Sequence, residues 1–347
     1  MLERLELENF RTYAKRSFDL APLTVLIGPN GIGKTNVLEA VSMLSLTTSW
    51  RTETDSEVVA WGEPFCRVTG DMQELVVQSH PYMKRLRHDG ISKRTYQVIG
   101  MLPSVLFQPD DIQIIYGSPN SRRQYLDRIL SQTSTAYTRA ILELAKILKQ
   151  RNRLLKMIQE NTASPEELLF WDGELERLHA VISPEREQLI GFFNQRLPET
   201  FAQMIPDSPA ILMEYMRSPR QAEHFLNHLH QQRHKEVMAG TSLYGPHRED
   251  VRLMWGEHAV AESMSRGQAR ALLIAMKIAE LEYISARNEV RPILLLDDIF
   301  SELDQERRER LVSILGDYQV IMTTTELGNI ESILSKEARV VDLTNLV

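Results

Sequence analysis

The sequence predicts an α/β protein whose nucleotide-binding head is built from both ends of the chain, with a mainly helical lobe inserted between them. Three observations predict it: a phosphate loop near the start, an apolar strand ending in paired carboxylates near the end, and a helical block in the interval. The expected boundaries are 1–120 and 240–347 for the head and 121–239 for the lobe.

The run Leu23 to Ile27 is apolar, as a buried strand requires, and feeds Gly28-Pro29-Asn30-Gly31-Ile32-Gly33-Lys34-Thr35. This fits G-x-x-x-x-G-K-[ST], in which backbone amides cradle phosphates, the lysine reaches the β- and γ-phosphates and the hydroxyl holds Mg²⁺. Residues 36–46 then read as a helix whose N-terminal dipole favours an anion. Asn30, Gly31, Gly33, Lys34, Thr35 and Asn36 are the expected ATP contacts. Residues 84–94 set Lys84, Arg85, Arg87, Lys93 and Arg94 around His88-Asp89-Gly90, a turn between two short strands.

The middle of the chain has helical periodicity over 125–130, 141–158, 166–178 and 188–197, with Pro165 near a helix start and Pro184 breaking the pattern. Within it Arg139, Lys146, Lys149, Arg151, Arg153 and Lys156 run against Glu143 alone. A solvated helix face and a phosphate-tracking surface both account for such a run. The α/β pattern returns with Ile293-Leu294-Leu295-Leu296-Asp297-Asp298, an apolar run suited to a strand buried on both faces. Asp297 at its C-terminal end suits a metal ligand together with Thr35. Asp298, pointing the other way because side chains alternate along a strand, suits a general base.

Before this strand lies Ser263-Met264-Ser265-Arg266-Gly267-Gln268, followed by a helical pattern, and after it Ser301-Glu302-Leu303-Asp304. In the order loop, signature, carboxylates and D-loop, these resemble the ABC-type ATPases. The resemblance implies that Ser265, Arg266, Gly267 and Gln268 meet the γ-phosphate of an ATP held by a second copy. It also makes Ser301 and Asp304 D-loop residues. Asn9-Phe10-Arg11-Thr12-Tyr13, Gly33 to Ala40, Gly117-Ser118-Pro119 with Arg122-Arg123, Leu126-Asp127-Arg128 and Gly245-Pro246-His247-Arg248 narrow the resemblance to the RecF family of bacterial replication and repair proteins. That similarity runs along essentially the whole chain. It implies ATP and Mg²⁺ as cofactors, an ATP-dependent homodimer and binding to duplex DNA and gap junctions. It further implies work with RecR, and through it RecO, in loading RecA. Lys84, Arg85, Arg87, Arg122, Arg123, Lys146 and Arg151 are the expected DNA contacts, with His247 and Arg248 as further contact candidates.

The chain departs from the wider ABC pattern in having Asp298 where many members have glutamate, and Thr323-Thr324-Thr325 where transporter subunits have a switch histidine. Both fit a slow ATPase acting as a timer. Gln108 is a candidate Q-loop residue. An ATPase subunit of an ABC transporter stays open as the alternative.

The net charge of −7 excludes a uniformly basic surface and leaves room for local basic patches. A single cysteine, Cys66, excludes a disulfide framework and points to a reducing compartment. No run approaches the roughly 20 apolar residues of a membrane span, so the expected setting is the cytoplasm, with no membrane partner. His224 with His228, and His230 with His234, have metal-chelating spacing without a third ligand and read as a solvated helix face. Trp50, Trp61, Trp171 and Trp255 are scattered and read as core or interface residues.

Overall fold

The computed structural model describes residues 1–218, 225–302, 308, 311, 312, 316–326, 328 and 338–344. The chain begins with β1 (Arg4–Phe10), β2 (Tyr13–Asp19), β3 (Leu23–Ile27) and α1 (Lys34–Leu46). It continues through β4 (Phe65–Thr69), β5 (Gln73–Gln78), β6 (Met83–His88), β7 (Ile91–Lys93), α2 (Thr95–Val98) and β8 (Ser104–Phe107). Then come α3 (Gln113–Tyr116), α4 (Pro119–Thr133), α5 (Thr135–Gln159), α6 (Leu168–Ala202), β9 (Ile211–Met216) and α7 (Phe225–Ala239). The last stretch holds β10 (Asp250–Trp255), β11 (His258–Ala259), α8 (Val260–Ser263), α9 (Arg266–Arg287), β12 (Ile293–Asp297), β13 (Val320–Thr324) and β14 (Ala338–Asp342).

These elements form two compact units, residues 1–111 with 273–347 and residues 112–272. Residues 112–120 and 240–272, which the sequence assigns to the head, therefore group with the second unit. The reason is long-range pairing: β10 runs antiparallel to β9 along its whole length, and the Arg122 guanidinium grips Asp250 with both Nε and Nη2, at 2.8 and 2.9 Å.

The first unit holds two sheets. One is antiparallel in the order β2-β1-β4-β5-β6-β7, and the other is parallel in the order β14-β3-β13-β12-β8. Helix α1 packs against strands of both, so nearly all of its side chains are buried, the polar Asn36, Glu39, Ser42 and Ser45 among them. Its Val37, Leu38, Val41 and Met43 share a core with Leu5, Leu7, Val68 and Val77 from the first sheet and Leu26, Leu295 and Ile321 from the second. The predicted strands Leu23–Ile27 and Ile293–Asp297 form as read, and the basic turn at 88–90 joins β6 to β7. Cys66 is buried in β4, and burial pushes its thiol up to about 12, which makes it inert at neutral pH.

In the second unit the two predicted helices at 166–178 and 188–197 are one, α6, which runs straight through Pro184. A proline inside a helix costs about 3 kcal/mol through its missing donor and ring clash. The neighbouring anchors override that penalty: Ile182, Ser183, Arg186 and Leu189 are all buried, and the Ser183 hydroxyl donates to Glu249 at 2.7 Å. Arg186 reaches Asp127, Glu249, the Tyr137 hydroxyl and the Pro246 carbonyl from the same turn of helix. Burial raises the Glu249 carboxyl, but the adjacent His179 ring, hydrogen bonds from the Tyr215 and Ser183 hydroxyls and the Arg186 charge leave it below its ordinary value. His228, His230 and His234 lie on α7, and among the described residues no cluster of histidine, cysteine or carboxylate side chains has metal-binding geometry. Trp50 and Trp171 pack on cores, whereas Trp61 is fully exposed.

A second buried network centres on Arg151 of α5, which is 1% exposed. Its fork bonds Asp172 at 2.7 Å and Glu236 at 2.6 Å, and it also donates to the Ser242 hydroxyl. Arg151→Ala would leave the fully buried Glu236 without its cation and Asp172 with Arg233 in place of two guanidinium partners, so it is expected to destabilise the protein by about 3–5 kcal/mol. Arg153→Ala, at an exposed position two residues away, should stay within about 0.5 kcal/mol of the parent. Urea denaturation followed by circular dichroism measures both; equal midpoints for the two variants would refute the assignment.

Candidate functional site

All strand pairs in the second sheet of the first unit are parallel, so the C-terminal ends of β3, β13, β12 and β8 share one edge, where α/β sheets place ligands. The register is specific: Thr323 of β13 pairs with Leu26 on one side and Asp297 on the other. The phosphate loop follows β3 at this edge and turns into α1. It bends at Gly28, Gly31 and Gly33, whose φ values of 155°, 84° and 108° are conformations that side-chain-bearing residues rarely adopt. Gly33 is doubly required, because a Cβ there would lie 2.9 Å from the Tyr13 hydroxyl.

Within the loop, the Lys34 ammonium folds back to donate to the carbonyls of Gly28 at 2.6 Å and Pro29 at 3.1 Å. Burial lowers its pKa, an effect that the negative charges of Asp298 and Asp297 partly offset. Thr35, one residue on, donates its hydroxyl to both oxygens of Asp297, at 2.9 and 3.1 Å. A hydroxyl and a carboxylate converging at this edge are hard oxygen donors of the kind Mg²⁺ takes, so the residues fit that ion.

Thr323 completes the arrangement. Its hydroxyl donates to Asp297 Oδ1 at 2.8 Å and accepts the backbone N–H of Asp298 at 2.9 Å, fixing the orientation of one carboxylate and the backbone of the next. Asp298 itself sits at φ 50°, a left-handed turn out of β12 that takes its side chain off the strand's alternation. Thr324 is engaged differently, bonding the backbone of Glu326. Gln108 follows β8 at the same edge, its N–H donating to Asp111.

Behind the loop lies a brace that the motifs of the sequence do not display. Glu39 of α1 is fully buried and binds Arg11 through Nε at 3.0 Å and Nη2 at 2.5 Å, Arg51 at 3.2 Å and the Ser49 hydroxyl. Asn36, expected as an ATP contact, uses its side chain here: its amide donates to Thr12 and its carbonyl accepts from Arg51. Tyr13 donates to the Gly33 carbonyl at 3.1 Å, and burial pushes its phenol up to about 12, so it stays a donor. A charged residue mid-helix among apolar neighbours, as Glu39 is, was the available signal, since such a residue is buried only when paired.

The candidates Asn30, Gly31, Gly33, Lys34, Thr35, Asn36, Asp297 and Asp298 thus lie together in the first unit. Ser265, Arg266, Gly267 and Gln268 lie in the second, at the start of α9. There the Ser265 hydroxyl accepts the Gln268 N–H at 3.3 Å and the Gln268 side chain accepts the Ser265 N–H at 2.9 Å, a reciprocal cap that holds the helix N-terminus open to solvent. Ser301 lies in a short 3₁₀ turn at 299–302, and Asp304 lies outside the described residues.

The expected DNA contacts divide sharply. Arg151 is corrected to a structural residue, since a buried guanidinium between two carboxylates offers nothing to a phosphate. Arg122 is tied to Asp250, and Arg123 donates to the Glu249 carbonyl while burial lowers its pKa. Lys84 pairs with Asp55 at 2.7 Å, and Arg87 with Glu74. Arg85 and Lys146 are exposed. His247 is a half-buried neutral ring facing the Ser242 carbonyl, with its pKa pushed down to about 4 by desolvation, and Arg248 bonds the same carbonyl.

A phosphate loop and a hydroxyl–carboxylate pair at one edge of a parallel sheet, with a capped signature helix and an inserted helical unit, define an ATPase head of the ABC and SMC type. The family model "RecF/RecN/SMC N terminal domain" matches residues 1–343, and the chain belongs to the RecF family of DNA replication and repair proteins. It is 35% identical to the RecF of Moorella thermoacetica over 94% of this chain and 90% of that one. It is 33% identical to the RecF of Herpetosiphon aurantiacus over 94% of each. Among solved structures it is similar to a recombination mediator protein RecF-ATPrS of the RecFOR pathway, with a TM-score of 0.89, 26% identity and coverage of 98% of this chain and 96% of that one. A RecF-ATP structure of the same pathway matches with a TM-score of 0.87 and 28% identity over 94% and 92%. An Smc head from Pyrococcus furiosus, 18% identical with a TM-score of 0.51, shares the fold alone. No described helix is long and apolar enough to cross a membrane.

Proposed function

We propose that this protein is an ATP-switched DNA clamp of recombinational repair. In this reading it dimerises on ATP, binds duplex DNA at single-strand gaps, and helps load the RecA recombinase with RecR and RecO. A single observation carries the nucleotide chemistry: Thr35 and Asp297, 262 residues apart in sequence, meet at 2.9 Å beside a lysine that spans a phosphate loop. The family's ATP-bound structures support the same reading.

Lys34 exchanges its two loop carbonyls for phosphate oxygens, a better partner for an ammonium because the bond is charge-assisted on both sides. Thr35 and Asp297 would hold Mg²⁺, which supplies neutralisation of charge building on the phosphates. Thr323 keeps the Asp297 carboxylate aimed during this exchange. Asp298 accepts a proton from the attacking water. The Ser265 hydroxyl and the N-terminus of α9 meet the γ-phosphate from the facing copy, so hydrolysis removes the group that bridges the dimer. An aspartate base and threonines at the switch position suit a slow release timer.

The test is complementation between two inactive chains. Lys34→Met removes the loop charge, and Ser265→Arg puts a bulky cation at the signature. In a mixed dimer both defects fall in one composite site and the other site is whole. Mixing is expected to restore hydrolysis at one of the two sites. Absence of recovery, with heterodimers demonstrated by differential tags, would overturn the shared-site mechanism.

A further inference from the structure

Helix α5 sorts its cations by face. Arg151 points inward with Tyr137, Leu144, Leu155 and Ile158, and is consumed by Asp172 and Glu236. Lys146, Lys149, Arg153 and Lys156 follow one another at intervals of three, four and three residues, which places them within one stripe of a helix with 3.6 residues per turn. All four are exposed, and none of them has an ion pair or hydrogen bond among the described residues. Arg139 continues the stripe toward the N-terminus. The only acid within the helix, Glu143, lies about 100° around the axis from the middle of this stripe and pairs with Arg177.

We propose that this outer face of α5 is a phosphate-tracking surface for duplex DNA, an assignment that rests on the DNA-clamp reading and gives it a location. Four like charges along about 15 Å of helix, at 1.5 Å per residue, repel one another unless an extended polyanion neutralises them. A duplex carries one phosphate charge per roughly 1.7 Å of its axis, so it offers a matching array over that length. The composition of the stripe also selects the partner. Protein interfaces are depleted in lysine and enriched in aromatic anchors, whereas this face has three lysines among its four free cations and no aromatic residue. Lysine, a flexible point charge, suits a backbone whose exact phosphate positions vary with sequence. The basic β6 strand is a weaker candidate, since Lys84 and Arg87 are already paired.

The experiment measures binding of the full-length protein, with ATP, to a blunt duplex of about 30 base pairs across a salt series. Four phosphate contacts contribute a slope of about −3.6 in log K against log salt. The variant Lys146→Gln/Lys149→Gln/Arg153→Gln/Lys156→Gln should therefore have a slope shallower by about 3.6 and, with that term counted from 1 M salt, bind on the order of 10³-fold more weakly at 0.1 M salt. These exposed substitutions keep good helix formers. The charge-preserving variant Lys146→Arg/Lys149→Arg/Arg153→Lys/Lys156→Arg should match the parent. Parent binding with an unchanged slope in the glutamine variant would overturn this surface while leaving the clamp reading in place. A parent protein that shows no salt-dependent duplex binding would overturn the clamp reading itself.

Discussion

Lys34→Ala abolishes tight ATP binding and, with it, dimerisation; the expected loss of ATP affinity is at least 100-fold, as roughly two charge-assisted hydrogen bonds of 1.5–3 kcal/mol each would give. The position explains the size of the effect. Lys34 is 7% exposed, and its ammonium is the only cation among the described residues that donates to the loop carbonyls, at Gly28 and Pro29. Asp297 and Asp298 lie close enough to act on its pKa, so alanine would leave two negative groups facing the triphosphate without their counter-charge. Lys34→Arg keeps that charge but replaces a compact ammonium with a planar fork, so binding should survive while hydrolysis fails. Titration calorimetry with Mg²⁺ and ATP measures the first effect and phosphate release the second. Parental turnover in Lys34→Ala would end the assignment of this loop as the ATP site.

Asp298→Asn separates chemistry from binding. The residue sits at φ 50°, and asparagine is among the few residues that accept that conformation, so the backbone should be undisturbed. The substitution removes the basic oxygen and leaves Asp297 with its bonds from Thr35 and Thr323 intact. Loss of a general base commonly costs about 10² to 10⁴ in rate, and turnover should fall by that order while ATP stays bound. Because release follows hydrolysis, the dimer on DNA should outlast the parental one by a similar factor. Asp297→Asn is the contrast, weakening Mg²⁺-dependent binding as well. If the Asp298→Asn dimer dissociates at the parental rate and hydrolyses ATP normally, another group is the base.

Much of the site is legible in the order of its residues. The glycine spacing of the phosphate loop is a statement about φ, and Gly28, Gly31 and Gly33 adopt the positive values that spacing requires. Leu23–Ile27 and Ile293–Asp297 are readable as buried strands because a parallel sheet covered on both faces needs an unbroken apolar run. The basic residues are another matter. A series of cations on one helix says nothing about which are desolvated, and Arg151 is the one cation of the run locked between buried carboxylates. Pro184 misleads for a related reason, since its local penalty is outweighed by anchors that come from residues 127, 137, 246 and 249.

What the sequence by itself determined, then, is the local chemistry: a phosphate loop, a hydroxyl and a carboxylate of the kind that suit magnesium, a capped helix start and a periodic lobe. Each depends on neighbours a few residues away, through backbone dihedrals, strand alternation and helical period. Only the tertiary structure decided that Thr323 aims the Asp297 carboxylate, that Glu39 braces Arg11 and Arg51 behind the loop, that 240–272 belongs with the lobe, and which cations of α5 face water. Those outcomes depend on strand register between distant segments and on the cost of burying an unpaired charge. Neither quantity exists until the chain has closed on itself.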